Sequence, residues 1–539
     1  MTKAIEQVLP AVDVKVEAER KLVSQVDEQA TKINHLVAID LGSNSFHFII
    51  AREQDGCLQI LDRQKQSIGL AAGLDENNCL SKAAIAKAIT CLREFNLSLT
   101  NLPSSAIRIV ATHALRNASN IDDFKQQANL VLPHPIEVIS GKREAELIFK
   151  GVAHTQPLRG TTFIIDIGGG SSELVIGNNF TTSLADSLSM GCISFQQQFF
   201  ATGEINTAAM HDAQAFAKAQ LTSVADRYRE LDSKTVLGTS GSIKTISLVM
   251  LELYGDNKIT AKRLNRLVKQ LIRWQHHQNI PLHSIEAARR PLLAGAVAIL
   301  STCFSQLGIT QMKFSLGGLR EGVLYDLSQS RTDIDTRERT IQNLMRLYHV
   351  DKAFNQGVLQ QVAFISQQLQ TAKGRLSRGE LALLCWAAKL HEIGIAINSK
   401  KRQRHGAYII EHSDMPGFNS KEKQLIALLV TNHRGKIKLA GDEASLLGIS
   451  NARIHLLIQI LRLAIILTQG RLQVSKPAVT ATPIVVTYLL SAGKPSLKIT
   501  LKDKIGLAKK LALESQKQSS AGITLTLVFN TAKGNRRNT

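Results

Sequence analysis

The chain lacks most of what would mark it as secreted, membrane-spanning or built to read nucleic acid. Its six cysteines (Cys57, Cys79, Cys91, Cys192, Cys303, Cys385) are scattered with no C-x-x-C pair, which argues against a disulfide scaffold and against a structural zinc site. No apolar run reaches the roughly 18–20 residues that a membrane span needs. The first residues mix charges (Lys3, Glu6, Asp13, Lys15, Glu17) and form no signal-peptide core. A cytoplasmic protein with reduced thiols is expected. Aromatic residues make up only 5 % of the chain and no recognition motif is present, so stacking on bases has little support and no specific nucleic-acid partner is expected. Acidic residues are also short, with 44 Asp and Glu against 65 Lys and Arg.

The remaining composition is that of a globular chain, 44 % hydrophobic and 20 % charged over 539 residues, too long for a single core. The excess of positive charge is unevenly placed. Residues 331–539 hold 32 basic against 13 acidic side chains, a net +19, whereas residues 1–330 hold 33 against 31, a net +2. A field of one sign over so large a region attracts polyanions, acidic membrane surfaces among them.

Residues 1–32 are polar and weakly periodic and read as an extension. The fold begins with a β-branched run, His35 to Ile39, that ends in Asp40, turns through Gly42-Ser43-Asn44-Ser45 and resumes at Phe46. The same pattern returns at Thr162 to Ile165, Asp166, Gly168-Gly169-Gly170-Ser171 and Glu173 to Ile176. Ile39 superposes on Ile165, Asp40 on Asp166, Gly42 on Gly168, Ser45 on Ser171 and Ile50 on Ile176, which marks an internal duplication. Helical stretches (Ser81 to Asn96, after Asn120, from Gly141, Thr207 to Glu230) alternate with strands (Ile107 to Ala111, Ile136 to Ser140), predicting an α/β class. From about Asp333 to Leu467 the pattern is helical throughout. A tail with period-two strands around a basic helix, Ile505 to Leu513, predicts a small α+β unit. The expected domains are 33–147, 148–328, 329–475 and 476–539.

Both Gly-rich turns suit phosphoryl groups, because glycine lets backbone N–H groups approach an oxyanion and the Ser and Asn side chains add donors. One such turn would more readily be a structural hairpin; two equivalent copies favour a phosphate clamp. The aspartate ending each strand has three open readings: a metal ligand, a water-orienting base, or an Asx-turn residue of its own loop. A third loop, Gly238 to Ser242, and a fourth, Gly317-Gly318, fit the same clamp, and helix N-termini add positive potential. Glu144 falls in the first turn of a helix, where a carboxylate is ordinarily favoured by the dipole. Facing phosphate loops across a cleft it would serve as a general base, with Arg116 neutralising phosphate charge.

These segments together, Asp40-Leu-Gly-Ser-Asn-Ser-Phe-His, Ala111-Thr-His-Ala-Leu-Arg116, Ile139-Ser-Gly-Lys-Arg-Glu144, Ile165-Asp-Ile-Gly-Gly-Gly-Ser-Ser-Glu173, Gly241-Ser-Ile-Lys244 and Leu319-Arg-Glu-Gly322, closely resemble the exopolyphosphatase / guanosine pentaphosphate phosphohydrolase family. The resemblance implies duplicated actin-like (ribonuclease H-like) domains closing on a cleft, followed by an all-α HD-like domain. It implies hydrolysis of a terminal phosphoanhydride that depends on Mg²⁺, or Mn²⁺ in its place, and a homodimer. Carried over residue by residue, it gives Glu144 as the catalytic carboxylate with Arg116, Asp166 and Glu173. Asp166, Glu173 and Asp40 fall at the metal. Ser43, Asn44, Ser45, Gly169, Gly170, Ser171, Ser240, Gly241, Ser242 and Lys244 fall on the phosphates. The position before Glu144, often acidic in the family, is Arg143 here.

The expected substrate is inorganic polyphosphate, degraded processively with the basic back half holding the chain; the alternative is guanosine pentaphosphate, pppGpp. Ser187-Leu-Ser-Met190-Gly-Cys192 resembles the pentaphosphate branch. Lys244, Leu384 to Glu392 and Ser413-Asp-Met-Pro-Gly-Phe418 resemble the exopolyphosphatase branch. A sugar or acetate kinase of the same fold would use Gly317-Gly318 at an adenosine pocket. His391-Glu392 resembles the His-Asp signature of metal-dependent phosphohydrolases, with His405, His412 and His433 as conceivable ligands, but reads better as a retained scaffold. Peripheral attachment to the inner membrane face is a further expectation from the charge.

Overall fold

The computed structural model describes residues 34–529 apart from 55–56, 100–101, 159, 232–234, 329–334, 370–373, 440, 469–484, 492–493, 502–504 and 521–523; the expected N-terminal extension, 1–32, lies outside them. The chain divides into two compact units that meet between Asp333 and Ile334.

The first unit holds two sheets of the same plan. In one, β1 (Asn34–Leu41), β2 (Ser45–Gln54) and β3 (Cys57–Ser67) form an antiparallel meander, and β4 (Ile107–Ala111) and β5 (Ile136–Val138) add in parallel, giving the order β3-β2-β1-β4-β5. In the other, β6 (Thr161–Ile167), β7 (Ser172–Asn178) and β8 (Thr181–Leu188) form the meander, β9 (Thr235–Thr239) and β11 (Gln311–Phe314) add in parallel, and the two-residue β10 (Ile259–Thr260) closes the edge. The register repeats as well: Asp40 faces His47 across the first hairpin as Asp166 faces Glu173 across the second. The duplication read from the sequence is therefore a duplication of topology. β3 and β8, the outer meander strands, were not foreseen, because their sequences mix polar and apolar residues as edge strands do. The helical stretch expected from Thr207 to Glu230 is made of two helices, Thr207–Thr222 and Ala225–Glu230.

Helices cover the sheets, and five position the cleft: α1 (His113–Asn117), α2 (Gly141–Thr155), α3 (Cys192–Phe199), α4 (Ser240–Tyr254) and α5 (Leu319–Leu327). The helix Leu293–Gln306 is apolar on every side, and its residues from Leu293 to Phe304 are all buried, as an all-round hydrophobic helix requires. α2 begins where the Ser140 hydroxyl accepts from the Arg143 amide at 3.2 Å, an N-cap of the usual kind. It then crosses α5 with almost no side chain between. A Cβ on Gly151 would lie 2.0 Å from the Gly318 carbonyl oxygen, and one on Gly322 would lie 1.8 Å from that of Leu147. Only glycine permits that approach.

The second unit is helical from Thr336 to Leu467, including α6 (Arg378–Leu390), α7 (Arg402–His412), α8 (Ser420–Asn432) and α9 (Asn451–Leu467). A three-stranded sheet, β12 (Val485–Ser491), β13 (Lys494–Leu501) and β14 (Thr524–Phe529), follows with α10 (Ile505–Ser519). Leu511 and Leu525 belong to the same hydrophobic core as the helices. A buried ion pair fastens α10 to α9. Arg462, 1 % exposed, donates through Nη2 to Glu514 at 2.8 Å and to the Gly435 carbonyl at 2.9 Å, through Nη1 to the Asn432 carbonyl at 2.7 Å, and through Nε to Glu514. Arg462→Leu leaves the buried Glu514 without its cation, with only the Gln518 amide donating to it at 2.8 Å, and should destabilise this unit by about 3–5 kcal/mol, seen as a lowered urea midpoint; an unchanged midpoint would mean the pair contributes nothing.

Candidate active site

A cleft of about 400 Å³ opens in the first unit where the duplicated turns approach. Asp40, Ser43, Asn44, Ser45, Glu144, Asp166, Gly169, Ser171, Ser240, Gly241, Ser242 and Lys244 all line it, so twelve of the residues chosen from sequence are brought to one place. Arg116 stands just behind, donating through Nη1 to Glu144 at 3.1 Å and to the Ile139 carbonyl at 2.9 Å. Glu173 is buried beside them and accepts from the Ser187 hydroxyl at 2.8 Å. Gly170 sits away from the cleft against the His113 ring, whose Nδ1 would lie 2.4 Å from a Cβ placed there.

Four carboxyls are buried together at this end. Burial raises Glu144 well above the usual carboxylate range, Glu173's charge adds to the effect, and Arg116 opposes it. Asp166 is raised by burial and then by Glu173 and Asp40. Asp40 is raised to about 7 by burial, against the pull of Arg320. Glu173 is raised by burial against the hydrogen bonds of Ser171 and Ser187. Asp40 Oδ1, Ser45 Oγ and Ser315 Oγ are buried without a hydrogen-bond partner, although each residue lines the cleft. Such groups are costly unless something binds them.

Part of the cleft wall is cationic, and sequence reading missed it. Arg63 and Lys65 lie two residues apart on β3, on one face as strand periodicity dictates. Arg289 crosses below the third loop, its Nη2 2.4 Å from where a Gly241 Cβ would sit. Arg320, at the start of α5, donates to His47 Nδ1 at 3.2 Å; burial first, and then Arg320, pushes His47 down to about 3. The period-two basic pair on β3 was a readable signal once that segment was known to be a strand. Arg289 had none.

The residues expected at the metal, Asp40, Asp166 and Glu173, lie close enough that Asp166 feels the charge of the other two; among the described residues no three His, Cys, Asp or Glu side chains converge as a cage, and the Glu173 carboxylate accepts from Ser187. The same holds in the second unit. His391 and His433 are buried with ring centroids 5.4 Å apart, while His412 is stacked on Tyr408. Gly317 lets its loop press against α2, where Thr155 Oγ1 would lie 1.9 Å from a Cβ, a packing reason for the Gly317-Gly318 pair in place of an adenosine pocket. The two basic clusters around Lys400 and Arg434 are neighbours, with Gln403 Nε2 3.7 Å from the Cβ position of Gly435. No helix among the described residues is long and apolar enough to cross a membrane.

With this geometry in place, comparison with known proteins is decisive at the level of family. The model of the Ppx/GppA phosphatase family matches residues 49–331, and that of Ppx/GppA phosphatase domain III matches residues 336–517. The chain belongs to the Ppx/GppA phosphatase family. Among curated relatives, the guanosine-5'-triphosphate,3'-diphosphate pyrophosphatase of Aeromonas hydrophila subsp. hydrophila is 38 % identical over 464 residues, covering 86 % of this chain and 92 % of the relative. The protein of that name from Vibrio cholerae is 35 % identical over 510 residues, covering 93 % and 99 %. Among solved structures, the Aquifex aeolicus PPX-GPPA enzyme aligns at TM-score 0.48 and 23 % identity, over 55 % of this chain and 99 % of that one. An exopolyphosphatase from Cytophaga hutchinsonii aligns at 0.49 and 22 %, over 54 % and 97 %. As a member of this family the chain is a phosphoanhydride hydrolase.

Proposed function

We propose that the protein hydrolyses the terminal phosphoanhydride of guanosine pentaphosphate, releasing orthophosphate, with inorganic polyphosphate as the lesser substrate. This reverses the order of preference drawn from sequence, in line with the relatives' names. The observation that carries the chemistry is the lining of the cleft, where the carboxyls of Asp40, Glu144 and Asp166 share one cavity with Arg63, Lys65, Lys244, Arg289 and Arg320. A terminal phosphate seated in the Ser43–Ser45 and Gly169–Ser171 turns would leave the rest of its anionic chain among those cations. Glu144 would take the proton of a water attacking phosphorus, and the bond from phosphorus to the bridging oxygen would break, leaving that oxygen on the shortened product. Arg116 would hold the Glu144 carboxyl in place.

Mg²⁺ or Mn²⁺ fits the site without a cage, since Mg²⁺ is usually held by one or two carboxylates plus substrate phosphates and waters. Asp40, with its unpaired buried oxygen, and Asp166 would hold it, with Glu173 adjacent, and it would neutralise charge on the phosphate oxygens.

One feature favours a nucleotide over an inorganic chain. Leu316 lines the cleft and is 72 % exposed, an apolar surface that a nucleobase can cover and a polyphosphate cannot use. Orthophosphate release from pppGpp, tripolyphosphate and long polyphosphate, assayed side by side, tests the reading, and the largest kcat/KM is expected for pppGpp. Leu316→Ser should raise KM for pppGpp roughly tenfold and leave that for tripolyphosphate unchanged. Equal effects on both, or a preference for long polyphosphate, would return the assignment to exopolyphosphatase.

A further inference from the structure

Outside the cleft lies a group of charges that the proposed chemistry does not use. Asp326, near the C-terminus of α5, accepts from Arg143 Nη2 at 2.6 Å, from Lys150 Nζ at 2.8 Å and from Arg108 Nη1. Arg108, on β4, also pairs with Glu137 of β5 at 2.9 and 3.1 Å. Arg143 reaches Glu146 at 3.4 Å. Three cations and three carboxylates thus join β4, β5, α2 and α5. The Asp326 side chain is only 18 % exposed. Burial alone would raise its carboxyl, but the hydrogen bonds from Lys150 and Arg108 outweigh that and hold it at about 2, so it stays charged wherever the enzyme could work.

Its partners on α2 are informative. Arg143 and Lys150 are seven residues apart, two turns on one helix face, so one carboxylate grips α2 at two levels and resists its rotation. The glycine seam at Gly151 and Gly322 fixes the depth of the same helix against α5. Glu144 is the next residue after Arg143. About 10° of helix rotation displaces a group carried roughly 6 Å from the axis by about 1 Å, and a misplacement of that size can cost about 10²-fold in rate.

We propose that Asp326 is a positioning residue, which through Arg143 and Lys150 sets the rotation of α2 and so places the Glu144 carboxylate in the cleft. This rests on the reading of Glu144 as the base. It also gives Arg143, the departure from the family's acidic residue at that position, a task of its own, because an acid there could not bind Asp326.

Asp326→Asn, Arg143→Met and the double variant, each in the full-length protein, provide the test by orthophosphate release from pppGpp and tripolyphosphate. Asp326→Asn should lower kcat about 10–100-fold with KM within about twofold. Arg143→Met should show the same split, the double variant should be no worse than the more impaired single one, and Asp326→Glu should recover part of the loss. A lowered melting temperature with kcat unchanged in both single variants would make the cluster merely structural and overturn the proposal, as would strictly additive losses. Should Asp326→Asn fail to fold, Arg143→Met alone decides through its kcat. Glu144→Gln is run alongside: full activity there removes the base on which the proposal rests, whereas an inactive Glu144→Gln beside unimpaired Asp326→Asn and Arg143→Met variants defeats the positioning role alone.

Discussion

Glu144→Gln should lower turnover by about 10²–10⁴-fold, the usual contribution of a positioned general base, and leave substrate affinity within a few-fold of the wild type. Glutamine keeps the shape and the contact with Arg116 but cannot take a proton from water. The binding surface lies elsewhere, on the two Gly-rich turns and the cationic wall, so phosphate release and equilibrium binding should part company. The pH profile adds a second check. A base acts only when deprotonated, and burial and Glu173 push Glu144 up while Arg116 opposes them. The rising limb of kcat/KM should therefore sit above the ordinary carboxylate range, and Glu173→Gln should move it down by removing the neighbouring charge. Wild-type turnover in Glu144→Gln would end the assignment.

How much of this was legible in the sequence depended on whether a feature was local. The two turns announced themselves because Asp-x-Gly-x-x-Ser between apolar runs is a complete local pattern, and its recurrence revealed the duplicated sheets. Glu144 and Arg116 were legible less directly, since a glutamate in a first helical turn is ordinary in itself and only its place opposite the phosphate loops, together with the resemblance, singled it out. The cationic wall was not legible. Arg289 ends a three-residue 3-10 turn, Ala287–Arg289, between longer helices, and only the fold carries it beneath Gly241. Lys65 lies on an edge strand whose polarity hid its period. The Asp326 cluster was hidden for the same reason, as its hydrogen bond to Arg143 spans 183 residues. Nor could the sequence reveal that Gly151 and Gly322 are obligatory, because each is needed for a contact with a distant carbonyl.

Stripped of divalent cations, the protein should lose stability relative to its Asp166→Asn variant as pH rises from about 4 to about 8. Folding raises Asp40 from 3.8 to about 7, which costs its charged form on the order of 4 kcal/mol. Asp166, Glu144 and Glu173 are raised as well. A carboxyl raised in the folded state contributes stability that is fully present below its unfolded value and lost as pH climbs through its folded one. Two other sets of groups also titrate, and the comparison of wild type with Asp166→Asn cancels both. His47 and His113, pushed down to about 3 and about 4 mainly by burial, favour the folded state increasingly up to their ordinary 6.5 and are neutral in both states above it. Asp326 and Glu252, each at about 2, change charge well below neutrality. The buried carboxyls then govern the difference between wild type and variant. In EDTA the melting temperature of Asp166→Asn minus that of the wild type should rise by several degrees across that window. Mg²⁺ should restore the wild type and do much less for the variant, because a cation held by Asp40 and Asp166 removes the repulsion that burial imposes. A difference that stays flat in EDTA over this range would mean that the carboxyls are relieved by something other than a metal ion, and would remove the physical ground for placing one there.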